Sequence, residues 1–111
     1  MKNLLIALSL MPAFLFSIPT FAGQQGWVTN AKIARIVATV NGGINIRLIP
    51  ELSGCVSQSG YGPLYASLYP DHPGKDQIHS ILLAAYMSNT PIAVYFNDDK
   101  CTIMEIELGG R

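Results

Sequence analysis

The sequence predicts a small, mainly β domain with one helix: five strands in the order β-β-β-α-β-β, curled into a barrel and tied by one disulfide. Three observations lead there. Five short segments carry apolar residues at every second position, the pattern of half-buried strands. One segment, between the third and fourth of these, repeats them at helical spacing instead. The chain also holds two cysteines, Cys55 and Cys101, placed so that a bond between them would tie the loop after the second strand to the turn before the fifth.

The first strand is read at residues 32–40 (KIARIVATV), with Ala34, Ile36, Ala38 and Val40 on one face. Asn41-Gly42-Gly43 follows, and these residues accept positive φ, a hairpin signal. Residues 44–50 (INIRLIP) form the second strand, with Ile44, Ile46 and Leu48 alternating against Asn45 and Arg47. A turn-rich stretch containing Cys55 leads to the third strand (PLYASLY), where Leu64, Ala66 and Leu68 share a face. In DQIHSILLAAYMSN, Ile78, Ile81, Leu82 and Ala85 mark the buried side of a helix. Asn89 suits its left-handed end and Pro91 forbids continuation. IAVYF is the fourth strand and NDDK a turn. TIMEIEL is the fifth, with Met104, Ile106 and Leu108 opposite Glu105 and Glu107. Five strands with the helix between the third and fourth is the arrangement of a closed or partly closed OB-fold-like barrel, and closure would remove exposed sheet edges; a flat sheet with the helix packed on one face is the competitor.

The N-terminus carries Lys2, an apolar run and Thr20 and Ala22 at the −3 and −1 positions of a cleavage site. This is the pattern of a Sec-type signal peptide over residues 1–22, with no cysteine at a lipid-attachment position. The expectation is a single domain at 23–111, exported to the periplasm or secreted, with no membrane insertion after cleavage. An oxidising compartment makes a Cys55–Cys101 disulfide the natural fate of the pair. Lys2 is one of seven basic residues, so without it the seven acidic residues leave a net charge of about −1. No basic stripe exists, which argues against nucleic acid as a partner.

A tryptophan stands near the start of the mature part (GQQGWVTNAKI). Two strands, a cysteine, a third strand and an apolar helix follow, and AAYMSNTPIAVYF runs from helix through a proline turn to a strand. On these features the chain resembles the binding (B) subunits of AB5 toxins of the subtilase-cytotoxin and typhoid-toxin type, which are pentamer-forming OB barrels. The resemblance covers the mature chain in element order, and at residue level only the helix-to-fourth-strand segment. It implies export, the barrel, and binding rather than catalysis. In that family a serine-containing segment after the tryptophan contributes to sialoglycan binding. Val28, Thr29, Asn30 and Ala31 do not reproduce it, so no glycan-contacting residue is carried over.

Polar chemistry crowds into residues 69–80 (YPDHPGKDQIHS). His72, Asp76 and His79 could be drawn as three metal ligands, and Asp71, His72 and Ser80 as a nucleophile triad. Yet no metal-ligand spacing such as HExxH occurs, and a triad is a matter of geometry that spacing alone does not supply. Read structurally, Tyr69-Pro70 ends a strand, Pro73-Gly74 turns, and Asp76 meets the positive end of the helix. No catalytic residue, metal site or cofactor is therefore assigned. Tyr61, Tyr65 and Tyr69, four apart, would line one face of an extended strand as a candidate ligand surface. Leu83 and Met87, with His79, project from the helix side opposite its core stripe as a candidate contact to another copy of the chain. The preferred reading is a non-enzymatic module that binds a glycan or a protein, with homo-oligomer formation through that helix. A monomeric periplasmic inhibitor or envelope-stress protein is the alternative, and a metal-dependent hydrolase ranks below both.

Overall fold

The computed structural model describes residue 23 and residues 25–109; the expected signal peptide lies outside the described residues. Along the chain the elements are β1 (Gly26–Ala38), β2 (Ile44–Ile49), a 3₁₀ turn (Gln58–Gly60), β3 (Tyr65–Leu68), α1 (Lys75–Ser88), β4 (Ile92–Phe96) and β5 (Ile103–Leu108). In space the strands form one antiparallel sheet in the order β3-β2-β1-β4-β5. Cys55 and Cys101 are joined in a disulfide, as the sequence predicts.

Of the closed or partly closed barrel expected from the sequence, closure is not reached. The outer strands β3 and β5 meet through a single parallel bridge, Ser67 to Thr102, where the Ser67 N–H donates to the Cys101 carbonyl at 3.0 Å. Beyond that seam no ladder joins them, so the sheet is open.

The first strand also departs from expectation. It begins six residues earlier, and its buried side chains are Ala31 and Ile33, whereas Ala34 and Ala38 are exposed and Val40 is 97% exposed. Its register with β2 shifts between Ile33 and Arg35. A bulge inserts one extra residue, and a shift of one residue changes which side chains face inward. An alternation through Ala34, Ile36 and Ala38 therefore finds Ile36, which pairs with Ile46 and packs on the core, but misses Ile33 before the bulge.

The rest of the core follows the pattern except at β5, where Met104 and Leu108, read on its apolar face, are exposed and Ile103 is buried, because the register with β4 shifts between Tyr95 and Phe96. Ile44, Ile46 and Leu48 of β2, Ala66 and Leu68 of β3, Ile92, Val94 and Phe96 of β4 and Ile103 of β5 are buried. Helix α1 lays Ile78, Leu82 and Ala85 on this core. It ends as its sequence dictates: Asn89 adopts φ 55°, and its N–H reaches back to the carbonyls of Ala85 and Tyr86. Gly74, not Asp76, occupies the N-cap, and Asp76 sits within the first turn, where a carboxylate meets the positive end of the helix dipole. Among the described residues no helix is long and apolar enough to cross a membrane.

One feature of the core is polar. The 3₁₀ turn covers the outer side of β2 and β3 and inserts Gln58, only 4% exposed. Gln58 Nε2 donates to the carbonyls of Ile44 (3.1 Å) and Leu68 (3.0 Å) and to Asn45 Oδ1 (3.3 Å). Its Oε1 accepts from Asn41 Nδ2 at 2.8 Å. Ser67 Oγ donates to Asn45 Oδ1 and accepts from the Gln58 N–H. Asn45 thus lies on the face opposite Ile44 and Ile46, as read from the sequence, but is fully buried there. The hairpin glycine serves the same network, because a Cβ on Gly43 would overlap the Gln58 amide.

Candidate functional site

The seam between β3 and β5 opens into a groove of about 410 Å³. One wall is the connection from β3 to α1, carrying Tyr69, Asp71 and His72. The other is the turn from β4 into β5, with Asn97, Thr102 and Met104. Tyr69 is half-buried, and Asp71 and Asn97 are exposed. Among the described residues, the Tyr69 hydroxyl, the Asp71 carboxylate and the Asn97 side-chain amide have no hydrogen-bond or ion-pair partner. A concave surface with a few convergent polar groups over apolar side chains is the form that small-ligand sites take.

Both walls are held rigidly. The Gly74 N–H donates to His72 Nδ1 at 2.8 Å, which makes that nitrogen the acceptor. The proton therefore sits on Nε2, which donates to the Met104 carbonyl at 2.8 Å and pins the loop to β5. On the other wall Asp98 Oδ1 accepts from the N–H groups of Lys100 (2.9 Å) and Thr102 (3.2 Å). Burial pushes the Asp98 carboxyl up, but hydrogen bonds from Thr102 and Lys100 and the Lys100 charge outweigh it. Its pKa ends below the ordinary 3.8.

A carboxylate with a depressed folded pKa adds stability above its unfolded pKa and loses it as pH falls through the folded value. Asp98→Asn, which cannot titrate, is expected to remove this share of the acid limb. Stability measured by urea unfolding should fall less steeply below about pH 4 in the variant than in the parent. Identical slopes would contradict the role given to Asp98.

The tyrosines divide between two places. Tyr61 and Tyr65 form an edge-on pair with ring centroids 5.5 Å apart. Tyr65 is 7% exposed, and its hydroxyl accepts from Arg35 Nη1 at 3.3 Å. Tyr61 lies outside β3 and is exposed, while Tyr69 follows the strand and turns into the seam groove. Spacing by four puts side chains on one face only while the strand lasts, and β3 spans Tyr65–Leu68 alone.

His79, Leu83 and Met87 do come together. With Tyr86 they form the helix wall of a second groove, of about 580 Å³, whose other wall is β1. Leu83 and Tyr86 are exposed and Met87 is 81% exposed.

His72, Asp76 and His79 do not converge: among the described residues no three His, Cys, Asp or Glu side chains could hold one metal ion. Ser80 Oγ donates to the Asp76 carbonyl within the helix. The sequence reading missed Asn97 and Thr102, which come from a turn remote in sequence, and it gave His72 no structural part. Its one available signal was Asp98 two residues before Lys100, the pattern of an Asx turn.

Compared with known proteins, the chain matches no family model, no curated protein and no solved structure.

Proposed function

We propose that the chain is an exported, non-enzymatic binding module on an OB-type barrel, which takes a glycan or protein ligand in the seam groove. The observation that carries this reading is the groove itself: Tyr69, Asp71 and Asn97 present unpartnered groups on walls fixed by backbone hydrogen bonds. Tyr69 adds a half-buried aromatic ring, an amphipathic contact surface of low entropic cost to a ligand. The sheet order β3-β2-β1-β4-β5, with β3 and β5 meeting in parallel, supports a partly open OB-type barrel. The likeness of the element order to AB5 binding subunits points the same way, as does the disulfide to an oxidising compartment.

The alternative to binding is catalysis, and the groove offers little for it. Both His72 ring nitrogens are occupied by backbone groups, which leaves neither to act as a base. A glycan array probed with residues 23–111 tests the proposal. The parent should bind a restricted set of glycans, and Tyr69→Ala should weaken that binding by about tenfold, the loss expected of one aromatic contact. A blank array for the parent, or equal binding by the variant, would count against a glycan in this groove.

A further inference from the structure

The second groove has a property that its apolar helix wall alone would not reveal. Strand β1 is 13 residues long, and its two halves have different neighbours. Its ladder with β4 ends at Ala31, and its ladder with β2 runs from Lys32 to Ala38. Among the described residues no strand lies on the other edge of residues 33–38. In an antiparallel strand every second residue turns its N–H and C=O away from its partner, so this edge carries unpaired backbone groups. Ala34, Arg35, Ile36 and Ala38 of β1 line the groove beside Ile44 of β2, and the bulge between Ile33 and Arg35 lets three consecutive residues reach it. The unpaired edge of β1 therefore borders the groove, and the Arg35 guanidinium donates to the Tyr65 hydroxyl.

We infer that this groove takes an extended peptide segment of another protein, which adds as a strand to the free edge of β1. Alternate side chains of that segment pack against Leu83, Tyr86 and Met87. Main-chain hydrogen bonds supply affinity in this mode, and the pockets for alternate side chains supply selectivity. Size favours a single segment over a second copy of the chain. Nine residues line the groove, whereas a stable protein interface engages about 20–30 on each side. The free edge matches a strand of about six residues at roughly 3.3 Å each. No carboxylate lines the groove, and Arg35 and His79 are its basic residues, so a neutral or acidic segment suits it better than a basic one.

The test uses residues 23–111 labelled with ¹⁵N and a synthetic hexapeptide, acetyl-EVTVEL-amide, followed by amide chemical shifts and hydrogen exchange. Binding should shift residues 34–38 and 83–87 and slow exchange at alternate amides of 34–38. N-methylation of alternate peptide nitrogens, which removes the ladder donors, should weaken binding at least tenfold. Met87→Lys, at an exposed position that the fold does not need, should weaken it by a similar factor. Equal binding of the N-methylated peptide would overturn strand addition, and no shift at millimolar peptide would overturn the site. Concentration-dependent shifts of the same residues without peptide would overturn it in favour of a second copy. The seam groove is a separate surface, so these outcomes leave the glycan-array result untouched.

Discussion

Replacing both Cys55 and Cys101 with serine is expected to lower the unfolding free energy by about 4 kcal/mol, the chain-entropy value for a closed loop of this length. The two cysteines are 46 residues apart in sequence, and the loop between them contains β3, α1 and β4. Without the link the unfolded chain regains that freedom. The folded state loses a tie at the place where the open sheet is weakest. Cys101 stands at the seam, with its carbonyl bonded to Ser67, and the neighbouring Lys100 carbonyl accepts from Val56. For a domain whose whole stability is on the order of 5–10 kcal/mol, the loss is a large fraction. Urea unfolding of the parent and the double variant measures it directly. A difference below about 1 kcal/mol would mean that the loop is already constrained without the bond.

The second large effect is expected at Gln58. Gln58→Leu keeps a similar volume but removes every polar atom from the side chain. The carbonyls of Ile44 and Leu68 then lose a donor, as do Asn45 Oδ1 and the Asn41 amide its acceptor. An unsatisfied buried polar group costs about 1–3 kcal/mol. These groups are coupled, and water can reach the exposed Asn41, so a total of about 3 kcal/mol is expected rather than a sum. Gln58→Glu should be no better at neutral pH, because its second oxygen would face three acceptors instead of donating to them. Unfolding curves for both variants check this. A Leu variant as stable as the parent would show that the network contributes specificity without net stability.

The sequence revealed those parts of the fold in which local pattern and tertiary environment agree. Strands β2 and β4 bury the residues their alternation selects. Helix α1 stops where Asn89 places it. The exposed Leu83–Met87 pair was visible because i and i+4 side chains share a helix face whatever surrounds it. The failures arise where tertiary structure overrides the local period. The bulge at Ala34 brings Ile33 and Ile36 to the same side of β1, so strict alternation finds Ile36 and misses Ile33. Asn45 looks like a solvent-facing polar residue until the 3₁₀ turn folds over it, which no alternation records. The three tyrosines appear equivalent only if β3 is assumed to run past both its ends. The seam groove joins residues 69–72 to 97–104, so half of it was invisible to any reading of adjacent residues.

On the reading proposed above, a ligand binds in the seam groove. Amide chemical-shift mapping of the ¹⁵N-labelled domain with the strongest glycan from the array tests it most directly. Shifts should concentrate at Tyr69, Asp71, Asn97 and Thr102 and be lost in Tyr69→Ala. Shifts confined to other surfaces, or a map unchanged by that substitution, would contradict it.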